Sequence, residues 1–227
     1  MTNFNDVVSQ FHIEGTVESV SPIGNGLINE TLRVKTVDAN TPDYILQRIN
    51  NAIFTDVDLL QHNIELVTDH IRHKLMEKGE TDIERKCLRF VQAKDGKTYY
   101  KDADNLYWRV SVFIPNAVTK EEVNPESAFC CGETFGNFQN MLVDLKEPLG
   151  ETIPDFHNME LRLRQLREAV SADKAGRVAS VKDMIAELES YADEMCLAER
   201  LYREGALPKR ICHCDTKVNN MMFDKDG

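Results

Sequence analysis

The chain has 227 residues, with 27 Lys and Arg against 38 Asp and Glu, for a formal net charge of -11. Hydrophobic residues at 42% and charged residues at 29% are the proportions of a soluble globular fold, with enough mass to bury a sizeable core. The acidic balance argues against nonspecific nucleic-acid binding, which needs basic surface, although a small basic pocket for a nucleotide is compatible with it. No apolar run approaches the ~20 residues that cross a bilayer, so no membrane is expected as a partner. Met1–Asp6 has no basic region followed by an apolar stretch, and six cysteines in such a chain read as thiols of the cytoplasm.

The first half reads as strands around one long helix. Gly15–Val20 looks like a strand, Pro22-Ile23-Gly24-Asn25-Gly26 a turn, and Thr31–Val37 the returning arm of a hairpin. Turn chemistry at Asp38–Asp43 leads to a third strand, Tyr44–Ile49. From Asp56 to about Met76, Val57, Leu60, Ile64, Val67, Ile71 and Leu75 recur at the three-and-four spacing of an amphipathic helix. Leu88–Val91 and Leu106–Ile114 are further strands about an Asp95-Gly96 turn. After Pro115 the pattern turns helical. Pro125 to about Leu145 should bury Phe129, Phe135, Phe138, Met141 and Leu142, and Pro148 and Pro154 end that run. Glu160–Ser171 and Val178–Glu204 read as two more helices, divided by Gly176 and closed by Gly205. The expected architecture is α+β, with a strand-rich part over 1–115 and a helical part over 116–227.

The chemistry is concentrated in Ile211-Cys212-His213-Cys214-Asp215-Thr216-Lys217-Val218-Asn219-Asn220-Met221-Met222-Phe223-Asp224. This reads H-x-D-x-x-x-x-N between short apolar runs that look like two strands pinching a loop. Phosphoryl transfer needs that spacing: Asp215 to accept the proton of an attacking hydroxyl, and Asn220 to ligate the Mg²⁺ that neutralises phosphates. Lys217 would meet charge building on the transferred group. The bland alternative is a polar hairpin with Asp215 and Asn219 as turn residues.

Glycines at Gly24 and Gly26, with Asn25 between them, let backbone N–H groups approach phosphates, although an unliganded Gly-Asn-Gly turn is equally ordinary. Kinases place on the third strand a Lys that pairs with a helix Glu. This strand offers Gln47 and Arg48 instead, and the helix offers Glu65. Alternation sends one of Gln47 and Arg48 into the cleft, and the sequence leaves open which. Cys212, His213, Cys214 and the adjacent Cys130-Cys131 lack the spacing of structural zinc; His213 is expected to pack under the loop.

These pieces in order resemble the aminoglycoside phosphotransferase-like small-molecule kinases, and more narrowly the N-acetylhexosamine 1-kinase branch. The resemblance rests on Gly24–Asn29, Tyr44–Asn50, Phe135-Gly136-Asn137-Phe138-Gln139, Thr152–Asn158 and His213–Asn220. It implies the two-lobed protein-kinase-like fold and transfer of the ATP γ-phosphoryl to the anomeric hydroxyl of an N-acetylated hexosamine. Carried over residue by residue, it makes Asp215 the base, Asn220 a Mg²⁺ ligand, Gly24 to Gly26 the phosphate cover, and Phe113 and Ile114 the adenine-contacting hinge. The strand Lys is missing. Members of the family continue past this point with a metal-binding Asp-x-Asp strand, so an N-terminal piece with an incomplete helical lobe, prone to self-association, is expected. Rival readings are a kinase of choline, homoserine or an aminoglycoside, and a nucleotide-binding protein without catalysis.

Overall fold

The computed structural model describes residues 3–24 and 28–225. Two compact units divide the chain. One comprises residues 1–152 with 211–227, the other residues 153–210. In the first unit the helix after the strands packs back against the helix among them.

In the first unit a short helix α1 (Phe4–Val8) precedes β1 (Val17–Pro22), β2 (Glu30–Thr36) and β3 (Tyr44–Ile49). Then come α2 (Val57–Glu77), α3 (Ile83–Lys86), β4 (Phe90–Val91), β5 (Tyr100–Lys101) and β6 (Tyr107–Val112). The strands form one antiparallel sheet in the order β1-β2-β3-β6-β4, with β5 also pairing with β6. Strand alternation sorts the two faces. Leu32, Val34, Tyr44, Leu46, Trp108 and Val110 pack against Val7, Val8 and Phe11 from the N-terminal helix and its continuation. The opposite face carries Thr31, Gln47 and Arg109 in one register row, and near its end Ile49 and Tyr107 pack with Val57 and Leu60 of α2.

The helix α2 starts where Asp56 caps it, the carboxylate accepting from the Leu59 N–H at 2.9 Å. Its far end packs Ile71 and Leu75 against Leu142, with Phe138 and Met141 beside them. Those residues come from α4 (Pro125–Met141), which begins with a capping box between Asn124 and Ser127. The helix stops short of the expected Leu145, and Leu142, just beyond it, is buried. Phe129 is not buried as expected but 72% exposed. Ser127, Cys131, Phe138 and Leu142 define the inward stripe, and a residue two positions from Ser127 and from Cys131 falls on the opposite side of a 3.6-residue turn. Between the strands and α4 lies β7 (Ala117–Val118).

The second unit holds α5 (Met159–Ala172), capped by Asn158, which accepts from the Leu161 N–H at 3.0 Å. The single helix expected over Val178–Glu204 is instead a 3-10 turn followed by α6 (Lys182–Ser190), α7 (Ala192–Met195) and α8 (Leu197–Arg203). At the first break the Ser190 hydroxyl donates to the Glu187 carbonyl at 2.6 Å, and the Tyr191 N–H reaches back only three residues, to Leu188. Such back-bonding competes with the helical ladder and bends it. Arg167 on α5 grips Glu189 through two nitrogens, and Arg203 does the same to Glu160, which ties these helices together. No helix among the described residues is long and apolar enough to cross a membrane.

Candidate active site

The loop at Asp215 is wound by its own backbone. Cys214 takes a left-handed conformation (φ 65°), the Lys217 N–H donates to the Asp215 carbonyl at 3.0 Å, and a 3-10 turn follows over Val218–Asn220. That turn swings the Asn220 amide back onto Asp215, donating to Oδ2 at 2.6 Å and to the backbone carbonyl at 3.0 Å. Lys217 Nζ lies 3.6 Å from the same Oδ2. The three residues singled out from the sequence are therefore gathered around one carboxylate, in reach of solvent.

The loop is anchored at both ends. Ile211 packs on the Ile71–Leu142 cluster, and the His213 ring sits 5.2 Å from Phe135 and 5.9 Å from Phe138, exposed on those rings and not tucked under the loop. Beyond the loop, β8 (Phe223–Asp224) pairs with β7, not with the residues before the loop. Two strands pinching the loop were expected; only the second forms, and its partner lies about a hundred residues earlier, a pairing local pattern cannot reveal. Lys120 Nζ lies over the Phe223 ring at 4.4 Å and Arg85 pairs with Asp224 at 3.3 Å, which fastens the chain that follows the Asp215 loop.

With its amide nitrogen committed to Asp215, Asn220 keeps its Oδ1 for another partner, and Asp215 keeps Oδ1. Both are hard oxygen donors, the chemistry Mg²⁺ takes from proteins. No group of three or more His, Cys, Asp or Glu able to hold a metal exists among the described residues. Mg²⁺ bound mainly by phosphate oxygens and water needs only one or two such donors, so the Asn220 oxygen fits it and Asp215 Oδ1 stays open to an acceptor's proton.

Just beyond β1, Gly24 takes a left-handed conformation (φ 73°) that favours glycine, with open space where a Cβ would stand. Asn25 and Gly26 lie outside the described residues. Past the turn, Asn29 Oδ1 accepts from the Asn50 N–H at 2.9 Å and Asn50 Nδ2 donates to the Ile28 carbonyl at 3.2 Å, tying the hairpin end to the end of β3.

Gln47 and Arg48 part company. Arg48 turns away to an exposed cross-strand ion pair with Glu30, 2.8 Å apart. Gln47 takes the face toward α2, where its Nε2 donates to Thr31 Oγ1 at 3.1 Å and its Oε1 accepts from Arg109 Nε at 2.9 Å and Nη2 at 2.5 Å. Arg109 Nη1 also donates to Oε1 of the buried Gln61 on α2 at 3.1 Å. Gln61 Nε2 in turn donates to the carbonyl and hydroxyl of Thr98, whose hydroxyl donates to Glu65. Glu65 is thus joined to the sheet, through Thr98 and Gln61, and not directly to Gln47 or Arg48.

Arg109 escaped the sequence reading. Its signal was present: it is the one charged residue in the run Leu106-Tyr107-Trp108-Arg109-Val110-Ser111-Val112-Phe113-Ile114, and a charge inside a strand otherwise fit for burial calls for a reason. Protein surrounds the guanidinium densely, although the residue keeps some accessible surface, and burial lowers its pKa to about 10.

At the end of β6, the Phe113 N–H donates to the Asp43 carbonyl at 2.9 Å and its ring lies 4.3 Å beneath the Arg33 guanidinium. Arg33 is held by Asp43 at 2.6 Å, so this end of the sheet presents Phe113 and Ile114 on a braced backbone.

A profile of the phosphotransferase enzyme family matches residues 19–227. The chain belongs to that family. Among solved structures, the crystal structure of spectinomycin phosphotransferase in complex with ADP and spectinomycin matches with a TM-score of 0.55 at 12% identity. The match covers 97% of this chain and 64% of that one, so the chain spans less than two thirds of that protein's length. At such low identity the likeness is one of fold. It bears out the α+β, kinase-like architecture of an antiparallel sheet followed by helices.

Proposed function

We propose that this protein of the phosphotransferase family moves the γ-phosphoryl of ATP onto a hydroxyl of a small molecule, and that the acceptor is the anomeric hydroxyl of an N-acetylhexosamine. The carrying observation is the cluster at Asp215, with Asn220 2.6 Å and Lys217 3.6 Å from one carboxylate oxygen. Asn220 holds Oδ2, which leaves Oδ1 to accept the acceptor's hydroxyl proton as that oxygen attacks phosphorus and ADP departs. Lys217 stands where negative charge on the transferred group would grow. Mg²⁺, when bound, neutralises the phosphates; Asn220 Oδ1 is the oxygen this chain would offer it. The nucleotide is covered by the turn at Gly24 to Gly26 and its adenine meets the backbone at Phe113 and Ile114, while Gln47 and Glu65 brace the α2-facing side of the sheet. Arg48, paired with Glu30 on the other face, serves the hairpin more than the nucleotide.

The sugar acceptor is supported by the resemblance at Gly24–Asn29, Tyr44–Asn50, Phe135–Gln139, Thr152–Asn158 and His213–Asn220. A second reading, an aminocyclitol or aminoglycoside acceptor, is favoured by the fold likeness to a spectinomycin phosphotransferase. The chemistry suits the cytoplasm, where ATP and Mg²⁺ are at hand and cysteines stay reduced.

A coupled assay of ADP release over N-acetylglucosamine, N-acetylgalactosamine, spectinomycin, choline and homoserine separates the readings. N-acetylhexosamine should be the preferred acceptor, and Asp215→Asn should lower kcat by roughly two to four decades with ATP affinity little changed. Turnover of Asp215→Asn within a few-fold of the parent would remove Asp215 as the base, and preference for spectinomycin would overturn the sugar assignment.

A further inference from the structure

The strand lysine expected of a kinase-like sheet is absent, yet the sheet contains a cation in the same register row. Arg109 is cross-strand neighbour to Gln47, which is in turn neighbour to Thr31 on the strand that leaves the glycine turn. Its guanidinium spends three N–H groups on two amide oxygens, those of Gln47 and Gln61. Neither amide can turn away, because Gln47 Nε2 is claimed by Thr31 and Gln61 Nε2 by Thr98. Among the described residues the only carboxylate joined to this network is Glu65, two hydrogen-bonded groups distant. Burial lowers the Arg109 pKa only to about 10, so the charge persists at neutral pH, and its hydrogen-bond partners among the described residues are amide oxygens, not carboxylates. A charge desolvated to this degree is costly unless an anion joins it. The fork also retains uncommitted N–H donors, and a guanidinium offers them in the geometry that suits phosphate oxygens.

We propose that Arg109, fixed by Gln47 and Gln61, is the sheet's phosphate receptor and binds the α- or β-phosphate of the nucleotide in place of the missing strand lysine. The inference rests on the nucleotide reading above and sharpens it. The rival account makes Arg109 only a clamp between β6 and α2.

Calorimetric titration of ADP and adenosine into the protein, into Arg109→Gln and into Arg109→Lys distinguishes these accounts. The protein should prefer ADP over adenosine. Arg109→Gln should lose about tenfold to a hundredfold in ADP affinity, the worth of hydrogen bonds to a charged group, with adenosine unchanged. Arg109→Lys, which keeps the charge, should recover most of the difference. As a check that needs no stable variant, the Arg109 Nε–H resonance of the unaltered protein should shift with ADP and with pyrophosphate, but not with adenosine. ADP binding equally well to Arg109→Gln, or a resonance unmoved by ADP, would overturn the inference while leaving the nucleotide reading in place. A response to pyrophosphate with no gain from the adenosine moiety would uphold the phosphate receptor and sink the nucleotide reading. No response to either phosphate ligand would overturn both.

Discussion

Replacing Gln61 by Leu removes the link between the sheet and α2 with little change in volume, so its cost can be worked from the bonds alone. Gln61 is 2% exposed, accepts from Arg109 Nη1 at 3.1 Å, and donates to the Thr98 carbonyl and hydroxyl at 3.1 and 3.0 Å. Leucine strands the Thr98 carbonyl and one N–H of a buried charge. A buried group left unsatisfied costs about 1–3 kcal/mol, and a charged one lies at the upper end. The two together come to about 3–5 kcal/mol. Burying the extra apolar surface of leucine returns roughly 1 kcal/mol, leaving a net loss of about 2–4 kcal/mol. For a chain of this size, each kcal/mol moves the melting temperature by roughly 2–4 °C, so Gln61→Leu should melt about 5–15 °C below the parent. Urea unfolding should show a lower midpoint at an unchanged m-value. The double variant Gln61→Leu/Arg109→Met should recover part of the loss, because the stranded charge is gone. If Gln61→Leu melted within 2 °C of the parent, the argument that this network joins helix to sheet would be wrong.

Two further outcomes follow from the same structure. Asp43 is part-buried, and burial raises its pKa; this is outweighed by the Thr36 N–H at 2.9 Å and the Arg33 guanidinium, which hold the carboxyl below its usual value. A folded-state pKa depressed in this way contributes stability above the unfolded value and loses it as pH falls through the folded one. Thermal melts from about pH 5 down to about pH 3 should therefore fall more steeply for the parent than for Asp43→Asn, and parallel slopes would count against this role. Gly150 exchanges two hydrogen bonds with the Asn63 side chain on α2, and a Cβ there would stand 2.5 Å from Leu59 Cδ1. Gly150→Ala should cost about 1–3 kcal/mol through overpacking, and Leu59→Ala in the same chain should make that substitution nearly neutral; no such rescue would mean that the clash is not the cause.

The reach of the sequence differs along the chain for physical reasons. Tyr44–Ile49 and the helix from Val57 were readable because period-2 and period-3.6 patterns are local, and Asp56 marked the helix start. The long helix expected after Val178 failed because hydrophobic period alone does not register a Ser190 hydroxyl turning back on Glu187. Phe129 failed for a related reason: an aromatic residue suggests burial, but the inward stripe was set by smaller residues, Ser127 and Cys131.

The meeting of Asp215, Lys217 and Asn220 lay at the legible extreme, since the three lie within six residues of one loop and their spacing brings them into contact. The cation of the sheet lay at the other. Gln47 and Arg109 are 62 residues apart, and they meet only because β3 pairs with β6 in one register; a slip of one residue would have put Arg109 on the Trp108 side. Gln61 joins them only because α2 packs across that face. A sequence can therefore show that a strand position lacks its expected lysine, but not that a neighbouring strand supplies a charge in the same row. The distinction bears on how substitutions at Gln47 should be read. Gln47 holds Arg109 by two bonds to one oxygen. Restoring a lysine there would remove that acceptor and set a second positive charge against the first. Gln47→Lys should therefore weaken folding, and the missing lysine is better understood as a requirement of Arg109 than as a lost function.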